Sequence, residues 1–138
     1  MKPTTMSKIA IDTNILLYSI DLFDPVKREK SIELIAQFPY ISSQLISEFS
    51  NVCLRKLKFP KEKVSTIVTS MVSKCGFIPI TRQIILRAME IMEKYRLQFF
   101  DAIVITAALE EGCRIFYTED MHHNLLVEKT LRVINPFI

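Results

Sequence analysis

Lys8-Ile9-Ala10-Ile11-Asp12-Thr13-Asn14-Ile15-Leu16-Leu17-Tyr18 decides the fold. A short apolar run ends abruptly at an acid, as a buried strand does at its carboxyl end. Thr13-Asn14 turns the chain, and Ile15-Leu16-Leu17-Tyr18 starts a helix. A strand feeding directly into a helix is the opening unit of an α/β sheet. Ligands of such sheets bind beyond the carboxyl ends of the strands, and Asp12 stands there.

Working outward, the same alternation continues. Asp24-Pro25 is an N-cap and N1 pair that opens a helix through about Phe38. Pro39-Tyr40-Ile41-Ser42 is a short extended segment, and Ser43 caps a third helix with Leu45, Phe49, Val52 and Cys53 on one face. Pro60 opens a fourth, with a stripe of Val64, Ile67, Val68, Met71, Val72 and Cys75 and a left-handed stop at Gly76. Phe77-Ile78-Pro79-Ile80 is a strand whose proline places it at an edge. Thr81 caps a fifth helix, and a sixth runs from about Phe100 to Glu111 and stops at Gly112. Strands follow at Cys113–Tyr117 and Leu131–Ile134. Strands alternating with helices require right-handed crossovers. The expected architecture is a single three-layer α/β/α domain over 1–138, with a mostly parallel sheet of about four to five strands.

Composition excludes several chemistries. The only glycines of the 138 residues are Gly76 and Gly112. Neither a dinucleotide fingerprint, nor a P-loop, nor a glycine-flanked serine elbow fits so few. The two histidines, His122 and His123, are adjacent, which rules out an H-E-x-x-H zinc helix. Cys53, Cys75 and Cys113 are far apart among apolar neighbours and read as buried free thiols of a reducing compartment. No apolar stretch has the length of a signal peptide or a membrane span, so a soluble cytoplasmic protein is expected.

What remains is carboxylate chemistry. Asp12 ends the first strand, and Asp120 follows Tyr117-Thr118-Glu119. Glu48 lies early in the third helix and Asp101 in the first turn of the sixth. Helices that follow strands present their first turns to the same sheet edge. Each acid alone also fits an ordinary role: Asp12 as N-cap, Glu48 on a solvated helix face, Asp101 favoured by the helix dipole, Asp120 in a turn. Together, four carboxylates on one rim repel each other, and a hard divalent cation relieves that cost. Such an ion suits the hydrolysis of a phosphodiester.

These segments resemble a known family. Ile11-Asp12-Thr13-Asn14-Ile15-Leu16-Leu17-Tyr18 is similar to the opening of PIN-domain ribonucleases, and Ser43-Gln44-Leu45-Ile46-Ser47-Glu48-Phe49 to the segment holding their second acid. Phe100-Asp101-Ala102-Ile103-Val104 resembles the third motif and Tyr117-Thr118-Glu119-Asp120-Met121 the fourth. Val133-Ile134-Asn135-Pro136-Phe137 resembles the ending common in toxin members of the virulence-associated protein C type. The resemblance implies an α/β/α endoribonuclease dependent on Mg²⁺ or Mn²⁺, cutting RNA through the quartet Asp12, Glu48, Asp101 and Asp120. Asp12 and Asp101 would be direct metal ligands, while Thr13, Asn14 and Thr118 would orient carboxylates or water. It further implies a homodimer and a cognate antitoxin that blocks the site. Two positions depart from the pattern. Gln98 stands where many toxin members carry Ser, and His122-His123-Asn124 stands where many carry Gly.

Arg55-Lys56-Leu57-Lys58-Phe59-Pro60-Lys61-Glu62-Lys63 is strongly cationic. It is either a solvated corner or an RNA contact through Arg55, Lys56 and Lys58. If four of the 15 acids gather in one pit, 11 are left against 18 cations, so a net charge of +3 hides a basic surface. Two rivals share the first-strand Asp: a phosphatase of the haloacid dehalogenase class, which has a second Asp where this chain has Asn14, and a response-regulator receiver. A catalytically silent PIN-like module that only binds RNA or protein is the third.

Overall fold

Ile9–Ile11 (β1) is the middle of a six-stranded sheet in a computed structural model that describes residues 7–138. The further elements are α1 (Thr13–Tyr18), α2 (Pro25–Ile35), β2 (Tyr40–Ser42), α3 (Ser43–Arg55), α4 (Lys61–Lys74) and β3 (Gly76–Ile78). They are followed by α5 (Arg82–Tyr95), α6 (Phe99–Glu110), β4 (Ile115–Tyr117), β5 (Leu126–Val127) and β6 (Leu131–Ile134). The spatial order is β3-β2-β1-β4-β6-β5. All neighbours are parallel except β5, which runs antiparallel to β6.

The order places a switch between β1 and β4. The chain winds outward one way through β2 and β3, then crosses back to β4 on the other side of β1. Connections leave the two strands in opposite senses, which opens a crevice at their carboxyl ends. Ile9 pairs with Ile115, Ala10 with Phe116 and Ile11 with Tyr117. This register brings the residues after Ile11 and after Tyr117 side by side, and the Asp12 N–H extends the ladder to the Tyr117 carbonyl at 2.9 Å.

Alternation along β1 divides the core into two. Ala10 joins Ile91, Ile105, Phe116 and Val133 on the side of α5 and α6. Ile11 joins Ile15, Leu16, Leu45, Phe49 and Val64 on the side of α1, α3 and α4. Seven consecutive residues of α6, Ala102 to Ala108, are buried. A helix apolar all round has to be enclosed on all sides, and this one packs against both α5 and the sheet. All three cysteines are free and buried, and burial pushes the Cys113 thiol up to about 12.

Four expectations need correction. The sheet has a sixth strand, β5, only two residues long and joined to β6 by a tight turn. The second helix ends at Ile35, and Phe38 takes a left-handed conformation with φ 52°. Ser42, one residue earlier than expected, caps α3 through Leu45 N–H, while the Ser43 hydroxyl accepts from Ile80 N–H at 3.0 Å. Gly76 is not a left-handed stop but the first residue of β3, in register with Tyr40. A Cβ there would lie 2.4 Å from the Tyr40 ring, so close packing rather than backbone conformation calls for glycine. Gly112, with φ 84°, does end α6 in the left-handed region.

Candidate active site

Asp12 is the best-anchored acid. It caps α1, with Oδ1 accepting from Thr13 N–H at 2.8 Å and Oδ2 accepting from the Thr118 hydroxyl at 2.8 Å. It is 8% exposed. Burial pushes its carboxyl up to about 6; the Thr118 and Thr13 hydrogen bonds oppose this, and the charges of Glu48 and Asp101 add to it. A buried carboxylate with both oxygens occupied and like charges nearby gains from a cation.

The other acids gather around it. Thr13 donates its hydroxyl to Glu48 Oε1 at 3.1 Å, so one threonine ties Asp12 to Glu48. Glu48 is in the second turn of α3, where the early capping by Ser42 sets its rotation. Asp101 lies in the first turn of α6, at the positive end of the helix dipole. Its carboxyl is raised by burial, then by the charges of Asp120 and Glu48. Asp12 thus feels the charges of Glu48 and Asp101, and Asp101 those of Asp120 and Glu48.

Thr118 and Asn14 organise the far side. The fully buried Thr118 hydroxyl has one proton and gives it to Asp12. Its lone pairs accept from Asn14 Nδ2 and from Asp120 N–H, each at 3.2 Å, which saturates the group. Asn14 Nδ2 also donates to Asp120 Oδ2 at 2.8 Å, and Asn14 Oδ1 accepts from Glu119 N–H at 3.4 Å. Where the phosphatase alternative needs a second strand-end Asp, this chain has an amide that donates to Asp120.

The donor set is all oxygen, which fits Mg²⁺ or Mn²⁺ rather than a softer ion. Among the described residues, no three His, Cys, Asp or Glu side chains converge into a ready-made cage. An ion held by one or two carboxylates and several waters needs no such cage, and that is the usual mode for Mg²⁺. The residues therefore fit a hydrated hard cation.

The departures from the family pattern now have a structural account. Gln98 is the N-cap of α6 and makes no side-chain capping bond. A Ser in that role is worth about 1 kcal/mol, so the start of this helix is held by its buried body instead. Asn124 takes φ 71°, the left-handed conformation that glycine otherwise supplies and asparagine tolerates. His123 Nδ1 accepts from Asn135 N–H at 2.9 Å, and His122 is exposed.

Arg55, Lys56 and Lys58 are exposed at the end of α3 and beyond it. A cavity of about 630 Å³ runs from Asn14 past Leu17, Tyr18 and Phe23 to Phe59 and Lys63. Of the cations in that stretch only Lys63 lines it. Sequence reasoning missed Lys27, which pairs with Glu119 beside Asp120. The two are 92 residues apart, and nothing local to either signals the pair.

Comparison with known proteins agrees with this geometry. A PIN domain profile matches residues 9–126. No curated protein is detectably similar in sequence. Among solved structures, a toxin–antitoxin complex from Klebsiella pneumoniae is 22% identical with a TM-score of 0.68, over 94% of this chain and 98% of that one. A DNA-bound VapBC from Salmonella typhimurium is 18% identical with a TM-score of 0.67, over 93% and 97%. The sarcin–ricin loop cleaving toxin VapC20 of Mycobacterium tuberculosis is 14% identical with a TM-score of 0.64, over 79% and 87%. At these identities the likeness is one of fold. With the profile covering most of its length and the acids arrayed at the β1–β4 switch, the chain belongs to the PIN domain family.

Proposed function

We propose that this chain is a divalent-metal-dependent endoribonuclease, acting in the cytoplasm as the toxin of a toxin–antitoxin pair. One observation carries the proposal: acids 36, 53 and 19 residues apart in sequence meet at one crevice, where Thr13 ties Asp12 to Glu48, Thr118 and Asn14 tie Asp12 to Asp120, and the charges of Asp120 and Glu48 help burial to raise the Asp101 carboxyl. When bound, Mg²⁺ or Mn²⁺ neutralises phosphate oxygens and makes a water acidic enough to attack a phosphodiester. Asp12 and Asp101 would hold the ion, with Glu48 and Asp120 reaching it partly through water. Thr13 and Thr118 hold the two Asp12 oxygens in place, and Asn14 does the same for Asp120. Arg55, Lys56 and Lys58 would attract the RNA backbone without reading its sequence.

The partner reading draws on the solved structures of similar fold, several of them complexes with an antitoxin. The groove beside Asn14, lined by Leu17, Tyr18, Ile20 and Phe23, offers apolar surface for such a protein. A homodimer follows from the same resemblance, and so does a single domain over 1–138. No helix among the described residues is long and apolar enough to cross a membrane.

The test is cleavage of tRNA, rRNA and a single-stranded RNA in Mn²⁺ and in EDTA. Endonucleolytic products in Mn²⁺ and none in EDTA are expected. Intact RNA of all three kinds in Mn²⁺, or identical cutting in EDTA, would sink the proposal.

A further inference from the structure

Asp120 is the most exposed of the four acids and lies in the loop that follows β4. Its neighbours are unusually well tied down. The Glu119 carboxylate accepts from the Tyr18 hydroxyl and pairs with the Lys27 ammonium. Lys27 Nζ also lies 4.8 Å from the Tyr18 ring centroid and 5.4 Å from that of Phe137. Phe137 meets Tyr18 edge-on, with centroids 5.2 Å apart and planes at 79°. On the other side of Asp120, His123 Nδ1 accepts from Asn135 N–H, and Asn135 Oδ1 accepts from Phe137 N–H, both at 2.9 Å.

Followed in order, these contacts close a ring. It runs from Tyr18 to Glu119, along the chain through Asp120 to His123, across to Asn135, on to Phe137 and back to Tyr18. Asp120 lies on the arc between Glu119 and His123, outside any helix or strand. Fixing a loop residue costs about 1–2 kcal/mol of conformational entropy. Pinned on both sides, the loop meets that cost on folding rather than on binding an ion. Lys27 also neutralises Glu119, so the loop contributes the charge of Asp120 alone to a crevice already crowded with carboxylates.

We infer that Tyr18, Lys27, Glu119 and the 135–137 segment are positioning elements for Asp120, and that they set how tightly the crevice holds a divalent cation. This rests on the acids being the metal site. Neither Asp12 nor Asp101 is part of the ring, so the ring acts on affinity and leaves the chemical step alone.

The test compares K27M, E119Q and F137L with wild type. Two readouts are needed: the Mn²⁺ concentration that half-saturates the rise in Tm without RNA, and the cleavage rate against Mn²⁺. Loss of a group that orients a metal ligand weakens the metal about tenfold or more. The expected result is a tenfold higher half-saturating Mn²⁺ in both readouts, with the rate at saturating Mn²⁺ little changed. K27R should restore the wild-type value, and K27M should add nothing to D120N. If F137L does not fold, the half-exposed K27M and E119Q still decide. A lower Tm of the metal-free variants with an unchanged Mn²⁺ half-saturation means a purely structural ring and overturns the inference. A wild type with no Mn²⁺ response overturns the metal-site reading and this inference with it; a wild-type response shared unchanged by K27M overturns the inference alone.

Discussion

Asp12 and Asp120 follow neighbouring parallel strands, yet they are held by opposite means. Asp12 continues the ladder of β1: its N–H bonds to Tyr117, its carboxylate caps α1, and burial screens it from water. Asp120 is exposed and depends on Asn14 and on a ring of contacts that begins 102 residues away in sequence, at Tyr18. The first acid is placed by backbone, the second by side chains. An acid built into the sheet should be indispensable and costly to ionise; one hung on a loop should be adjustable.

The largest effect tests the built-in acids. Asp12→Asn and Asp101→Asn are expected to lower RNA cleavage at least a thousandfold, on the scale of losing charged groups that act on the transition state, with the far-UV CD spectrum unchanged. Cleavage within tenfold of wild type in both would remove the proposed roles.

The next concerns the cost of ionising Asp12. Its folded-state carboxyl titrates at about 6, against near 4 when unfolded. As pH rises from 4 to 6, the unfolded chain loses this proton first. The metal-free fold is therefore expected to lose stability across that window, on the order of 3 kcal/mol at most, and no more from this group above it. Asp12→Asn keeps the cap and removes the titration, so its stability between pH 4 and 6 should be flatter. Urea melts at pH 4, 5, 6 and 7 check this; superimposable profiles would contradict the assigned environment.

Asp120→Asn should be milder, with roughly tenfold weaker Mn²⁺ dependence and partial rescue by excess Mn²⁺. If it is as inactive as Asp12→Asn at every Mn²⁺ concentration, the two acids do not differ as their anchoring implies.

The smallest effects belong to the cationic corner. Replacing Arg55, Lys56 or Lys58 singly by Ala should weaken RNA binding a few-fold at low salt and reduce the slope of log affinity against log salt by about 0.7 each. An unchanged slope in all three would return this stretch to ordinary solvated surface.

The same contrast explains what could be read from the sequence. Asp12 was legible because strand, acid, turn and helix follow each other within eleven residues. So were the caps at Asp24 and Thr81 and the stop at Gly112, each a local signal. Ser42 was mistaken for Ser43 because both can cap, and the choice was made by Ile80, far along the chain, taking Ser43 as its acceptor. Gly76 was misread because the Tyr40 ring it makes room for lies on another strand. β5 is two residues long, too short for any period to show. Lys27 and the ring it joins were invisible because Glu119, which closes it, lies 101 residues from Tyr18 and 92 from Lys27. Local chemistry announces itself; tertiary chemistry does not.

The burial of α6 has a consequence in time. A helix buried from Ala102 to Ala108 releases those amide protons only when most of the protein opens, whereas a surface loop opens as readily as the contacts that tie it allow. Asp101 sits in the first turn of the former and Asp120 on the latter. The amides of the α6 body are therefore expected to exchange slowest, and those of residues 119–123 at a rate set by the ring, faster in K27M than in wild type.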